Sequence, residues 1–229
     1  VELHEVGSLL EPAPLPLETG WERLASGALH VAVRTDLHGC TGEMLEWWFR
    51  WRCTTREYVW WHPVDHVSST WQGTLAPDTH IGSEHVVREF FSGLPDQDLV
   101  IQFRDPAEFF EPDAYGKARE SGAVTGAVVG RLGLTHEPPR LADGRVLGGR
   151  LLHIARDTGW GAALRSHFFV GLDLPDQGLS PDQVAAQAPE EFGRALLQHA
   201  YDEFTFLSRF LPALYVAEHR DTRPPRNPW

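Results

Sequence analysis

Along the 229-residue chain the apolar positions follow three successive patterns. Residues 1–20 set Pro12, Pro14 and Pro16 between apolar neighbours, which predicts an extended arm laid on the surface. A short mixed stretch from Trp21 to Val33 ends in the strand-like LHVAVR. Thr41 then suits a helix N-cap with Glu43 in the first turn, and a helix is expected over Glu43–Trp51. It would gather Met44, Trp47, Trp48 and Trp51 on one strongly apolar face.

From about 56 to 172 the spacing shortens. EYVWWH, EHVVREFF, DLVIQFRD, GAVTGAVVGRLGL, GRLLHIARDT and AALRSHFFVGL all carry β-branched or aromatic residues with partial period-two alternation. Gly, Pro and Asp turns such as GLPDQD and DTGWG separate them. Strand upon strand without intervening helices predicts an antiparallel sheet, not a doubly wound parallel one.

After Asp173 the pattern changes again, to a loop with a short helix and then one long helix from Pro189 to about Glu218. Phe192, Leu196, Leu197, Phe204, Leu207, Phe210, Leu211 and Leu214 trace a broad apolar stripe along it, and Pro212 is expected to kink it. The fold class expected is therefore α+β, a curved antiparallel sheet wrapped around a long C-terminal helix. Residues 1–38 would form an N-terminal extension of arm and short elements, 39–219 the main domain, and 220–229 a frayed tail.

Composition narrows the function. Hydrophobic residues at 42% and aromatics at 11% describe a globular chain, and nine tryptophans point to an aromatic core or an aromatic-walled pocket for a flat ligand. The formal charge is −12, and no cluster of Lys or Arg offers a face for nucleic acid or an anionic membrane. No stretch has the pattern of a secretory leader or a membrane span. With only Cys40 and Cys53, and no CxxC spacing, the thiols are expected as small buried residues of a reducing compartment, hence a cytoplasmic protein. A homodimer is allowed without being required.

Four places could carry chemistry. In His199-Ala-Tyr-Asp-Glu203 an imidazole and a carboxylate stand at i and i+4 on the apolar side of the long helix, where one ion could take both. The segment Trp60-Trp61-His62-Pro63-Val64-Asp65-His66 offers two imidazoles, either of which could be a ligand, with Asp65 orienting a ring from behind. In Glu84-His85-Val86-Val87-Arg88-Glu89, alternation puts Glu89, Val87 and His85 on one strand face and Glu84 on the other. His153 lies between Leu152 and Ile154, with His167 in the next strand; it is a candidate general acid or base. The plain alternatives are a His–Glu hydrogen bond at a helix edge, a capped loop, solvated charges on an edge strand and a satisfied core histidine. Nitrogen and oxygen donors without a thiolate cluster suit catalytic zinc, with iron or manganese as alternatives. GxSxG, Walker and GxGxxG motifs are all missing, which leaves serine hydrolase, NTPase and dinucleotide readings without support.

In order, EMLEWWFRW, YVWWHPVDH, EHVVREFFSG with LVIQFRDPAEFF, LLHIARDT with LRSHFFVG, and HAYDEF resemble the 2,4-diacetylphloroglucinol hydrolase family, which includes phloretin hydrolase. The motifs cover about residues 40–206. The resemblance implies a zinc-dependent hydrolase of the carbon–carbon bond between an acyl group and a phenolic ring, on a Bet v 1-like helix-grip domain. Carried over by position, the metal would be held by His66, Glu89, His199 and Glu203, with His66 preferred to His62 because it closes the HPxDH pattern. Glu89 or Glu203 would take a proton from water, and His153 would protonate the ring carbon. Tyr58 would hydrogen-bond a phenol between aromatic walls supplied by Trp47, Trp48, Trp60 and Trp61. Three departures bear on the substrate: a short region before the WWF helix, a shorter spacing from His66 to Glu89, and Phe168 where the family has a substrate-contacting tyrosine. The expected partner is a small aromatic or polyketide-like molecule. The readings held beside hydrolysis are a natural-product cyclase or isomerase on the same metal scaffold, and a non-catalytic binder of hydrophobic small molecules.

Overall fold

A computed structural model describes residues 3–91 and 94–221. Eight antiparallel strands form one curved sheet: β1 (Gly20–Arg23), β2 (Leu29–His38), β3 (His66–Gly73), β4 (Ser83–Phe91), β5 (Leu94–Phe103), β6 (Gly126–Gly133), β7 (Gly149–Thr158) and β8 (Gly161–Val170). Their order across the sheet is β1-β2-β8-β7-β6-β5-β4-β3, so every strand after β2 meets its sequence neighbour and only β2–β8 joins distant segments. Among the described residues five α-helices accompany the sheet: α1 (Gly42–Trp51), α2 (Thr55–Trp61), α3 (Pro112–Ser121), α4 (Pro181–Gln187) and α5 (Glu190–His219). Helix α5 lies in the concave face, as the apolar stripe predicts, and Leu196, Phe204, Leu207 and Leu211 are buried against the sheet. It runs through Pro212 as one element to His219. Among the described residues no helix is long and apolar enough to cross a membrane.

Several expectations are corrected. EYVWWH is helical, because Thr54 and Glu57 close a reciprocal capping box that starts α2 and outweighs the β-forming tendency of its aromatic and branched side chains. Helix α3 interrupts the strands, with Glu111 as N-cap, Pro112 in the first turn and Gly122 in the left-handed conformation behind it. The N-terminal arm is not extended: Leu3–Leu10 is a 3-10 helix burying Val6, Leu9 and Leu10. Together with Ala118 of α3 and Val184 of α4 it covers the convex face of the sheet over Val129, Leu152, Ile154 and Phe169, making a second apolar layer. All ten residues of β2 pair with β8. The last eight residues of the tail, 222–229, lie outside the described residues. Both cysteines are free and buried.

One close approach places helix α1. Gly42 at the start of α1 meets Gly126 of β6 so closely that a Cβ on Gly126 would stand 2.4 Å from the Gly42 carbonyl oxygen. With α1 seated this way, Phe49 is buried against Trp61 and Phe103.

Candidate metal centre and its cavity

His66 begins β3 and stands directly opposite Glu89 on β4. The register shifts just after each of them, between His66 and Ser68 on one side and between Glu89 and Phe91 on the other. Such irregularities re-aim side chains and recur next to functional sites. Helix α5 brings His199 and Glu203 over this pair on successive turns. All four residues are buried. His66 Nε2 lies 3.8 Å from Glu89 Oε1 and 3.7 Å from Glu203 Oε2, and His199 Nε2 lies 3.4 Å from Glu89 Oε2.

The groups behind these atoms fix their orientation. His66 Nδ1 donates to the Tyr58 carbonyl at 2.9 Å, so the lone pair is on Nε2, which has no hydrogen-bond partner and faces two carboxylates. His199 Nδ1 is 3.0 Å from Asp65 Oδ2. The Tyr58 hydroxyl donates to Glu89 Oε1, and its ring stacks on His66 with centroids 3.8 Å apart. The hydrogen bond expected from Tyr58 to a phenol is thus made to Glu89.

The electrostatics follow from crowding carboxylates in a buried space. Burial pushes the Glu203 carboxyl up to about 8, against the pull of His199 and with added repulsion from Glu89 and Asp65. Burial also raises Glu89, partly offset by His199 and the Tyr58 bond. Burial alone would lower His199, but Glu89, Asp65 and Glu203 carry it to about 9. Burial, then the His199 charge, keeps His66 well below the usual imidazole range. Burial and the Glu89 carboxylate raise Tyr58. The protein groups alone balance their charge with protons; a divalent cation would replace those protons and give the His66 lone pair a partner. His66, Glu89 and His199 bring one donor atom each within 4.8 Å of one another, with Glu203 beside His66, and could hold a metal ion.

A second grouping, His62 with Asp65 and His199, also brings three donors together. Its ring nitrogens are engaged differently: His62 Nδ1 accepts from the Asp65 N–H at 3.0 Å, and His199 Nδ1 is bound to Asp65. His62 Nε2 lacks a hydrogen-bond partner, 3.6 Å from Asp65 Oδ2. His62 stacks on His199 with centroids 4.8 Å apart and planes 6° from parallel, which steadies that ring. Glu84 lies on the other face of β4, where Arg140, Gln72 and Gln102 hold its carboxylate.

Glu89, His199 and Glu203 of the cluster line a cavity between the sheet and α5. Tyr58, Trp61, Glu89, His153 and Phe168 all line it. His153 Nδ1 bonds the buried Ser166 hydroxyl at 2.8 Å, and its ring sits among Phe204, Phe168 and Phe49 at 4.8, 5.6 and 6.2 Å. Burial lowers it to about 3, so the ring is neutral at ordinary pH. His85 is a lining residue that the sequence reading left without a role; Ser69 binds its Nε2 at 2.7 Å and Trp71 stacks on it. The expected walls Trp47 and Trp48 are not among the lining residues. Trp47 packs on Trp51 and Tyr215, and Trp48 edges against Trp61 and Phe210, because the apolar face of α1 turns toward the C-terminal half of α5. Trp60 is exposed beside Arg56.

The model of the DAPG hydrolase PhiG domain family matches residues 1–216. A 2,4-diacetylphloroglucinol hydrolase of a Pseudomonas species is 28% identical over 238 residues, covering 93% of this chain and 76% of that protein. Phloretin hydrolase of Eubacterium ramulus is 27% identical over 220 residues, covering 89% of this chain and 73% of that protein. Among solved structures, protein Ms6760 from Mycobacterium smegmatis overlaps with a TM-score of 0.46 at 10% identity, over 88% of this chain and 99% of that one. Ara h 8.0201 overlaps with a TM-score of 0.42 at 10% identity, over 85% and 99%.

Proposed function

Because this chain belongs to the DAPG hydrolase family, we propose that it is a zinc-dependent hydrolase of the carbon–carbon bond between an acyl carbonyl and a phenolic ring. The observation that carries the reading is the convergence of His66, Glu89, His199 and Glu203, with a partnerless His66 Nε2, where the last three line an apolar cavity. In this reading those four residues hold the cation. When bound, it supplies Lewis acidity toward the acyl oxygen and makes water a better nucleophile near neutral pH.

The remaining chemistry belongs to the side chains. The net reaction adds the oxygen of water to the acyl carbon and a proton to the ring carbon, giving a carboxylic acid and the unacylated phenol. Glu89 or Glu203 takes the proton from water as it attacks. Glu89 is held for this by the Tyr58 hydroxyl, and His199 is held by Asp65. His153, neutral and oriented by Ser166, passes the proton taken from water on to the ring carbon as the carbon–carbon bond breaks. Phe49, Phe168 and Phe204 pack around its ring, and Phe49 and Phe168 also line the cavity beside it. The apolar lining excludes bulk water, which strengthens every polar contact inside.

The test is carboxylic acid release from ortho-hydroxyphenyl ketones. Acid release should disappear on full chelation and return with zinc; undiminished release from fully demetallated protein would contradict the proposal. The apolar cavity also supports the non-catalytic reading, in which the ketone is recovered unchanged from zinc-loaded protein.

A further inference from the structure

We infer that the convex side of the sheet carries a second binding site, for a small inorganic oxyanion such as sulfate or phosphate, built on Arg34, Arg156 and Arg165. The sheet register gathers these residues. Arg34 of β2 stands directly opposite Arg165 of β8, and Arg156 of β7 stands opposite Ala163, diagonal to Arg165. Like charges in facing positions repel, and diagonal neighbours lie only about 7–8 Å apart. All three arginines line one small hollow, together with Leu9 of the N-terminal 3-10 helix, Ala123, Ile154 and Ala163. No carboxylate lines it. In a chain with a formal charge of −12, three cations around one hollow run against the composition.

The three guanidiniums are not equally answered. Arg165 is buried and donates to the Glu18 carboxylate and to the carbonyl oxygens of Glu11 and Ala13. Arg34 reaches only the exposed side chain of Asp36, at 3.6 Å. Arg156 is half-buried and, among the described residues, forms neither a side-chain hydrogen bond nor an ion pair. Burial, and then the Arg165 and Arg34 charges, hold its guanidinium below the usual value, with Glu18 pulling the other way. An oxyanion between Arg156 and Arg34 would supply the missing countercharge and accept the paired N–H groups that each guanidinium presents. The hollow continues past Arg156 and Ala123 into a wider groove beside α3, where Lys117 stands with Glu11 and Glu111. Mixed charge there leaves the all-cationic hollow as the place for the anion. Once occupied, the site would strengthen the tie that Arg165 already makes between the sheet and the N-terminal segment.

The test is thermal melting of the full chain as sodium sulfate replaces sodium chloride at constant ionic strength, beside calorimetric titration with sulfate. Wild type should show a rise in melting temperature that saturates as the site fills. In Arg156→Gln, sulfate affinity should fall about tenfold or more, because a hydrogen bond between charged groups is lost. Without sulfate the same variant should melt higher than wild type, since the repulsion from Arg34 and Arg165 is relieved. Arg34→Gln should weaken sulfate binding in the same direction and serves where the first variant fails to fold. Arg209→Gln, on α5 and outside the hollow, should bind as wild type does. General stabilisation by excluded sulfate does not saturate and is common to all variants. Only that unsaturating rise in wild type would overturn the site. So would saturable binding that persists unchanged in Arg156→Gln, which would place the anion elsewhere, the metal cluster included. Neither result bears on the hydrolase reading.

Discussion

Replacing Asp65 by Asn should loosen the metal without loosening the fold. Asp65 Oδ2 sits 3.0 Å from His199 Nδ1, and both residues are buried. Partners of this kind orient a ligating imidazole and raise its basicity, and losing one weakens metal binding by about 10- to 100-fold. That corresponds to about 1.4–2.7 kcal/mol. At metal concentrations well above both dissociation constants, the stabilisation gained from binding falls by the same amount. For a chain of this size about 2–4 °C accompany each kcal/mol, so the zinc-induced rise in melting temperature should shrink by about 3–11 °C. The metal-free protein should respond differently, because the Asp65 charge adds to the repulsion that raises Glu89 and Glu203. Asparagine removes that repulsion and keeps an acceptor for Nδ1–H but also removes a charge that holds His199 protonated, so the two effects oppose each other and the metal-free melting temperature should change less than the zinc-induced shift. Thermal melts of chelated and zinc-loaded protein, with zinc affinity from competition against a chromophoric chelator, measure both quantities. Equal zinc-induced shifts in Asp65→Asn and wild type would refute the reasoning.

Two further outcomes follow from other parts of the molecule. His153→Gln should lower kcat by about 10²- to 10⁴-fold while zinc content stays that of wild type, read by steady-state kinetics beside metal analysis; loss of zinc together with activity would place His153 in the metal site instead. Asp173 is buried, which by itself would raise its carboxyl, but the Arg150 guanidinium and the Gly148 N–H hold it net below the usual value. Its stabilisation is therefore present above the unfolded value near about 4 and is lost as pH falls through the lower folded value. Asp173→Asn should destabilise the neutral-pH protein by about 3–5 kcal/mol, since it leaves Arg150 buried without its ion-pair partner, and should flatten this part of the acid denaturation profile. Urea unfolding between neutral pH and the acid limb measures both, and a variant with unchanged stability at neutral pH would contradict the assignment.

How much was legible in the sequence differed from element to element, for physical reasons. The apolar stripe of α5 and the i, i+4 pair His199/Glu203 were readable because a helix of this length repeats its pattern many times. Alternation in β4 puts Glu89 and Glu84 on opposite faces, as the structure does, but leaves open which of them is a ligand. Helices α2 and α3 were missed although their signals are local: Thr54 with Glu57 for one, Glu111, Pro112 and Gly122 for the other. Their side-chain composition resembles strand or loop, and termini rather than periodicity decide short helices. Strand β3, VSSTWQG after His66, gave no strand signal because it is an edge strand with few apolar residues. The Asp65–His199 contact joins residues 134 positions apart, so no spacing rule could reveal it. Trp47 and Trp48 show the reverse error. An aromatic run near candidate ligands suggested cavity walls, yet the face they share with Trp51 packs on the far half of α5.

The most direct measurement is metal content by elemental analysis of purified, unchelated wild-type protein beside His199→Ala. The account expects about one zinc per chain in wild type and its loss in the variant, since removing His199 deletes one of four donors and leaves Glu89 and Glu203 with His66 alone. Wild-type protein without stoichiometric metal, or a folded His199→Ala variant that keeps its full complement, would contradict the metal centre at the heart of the proposed hydrolase.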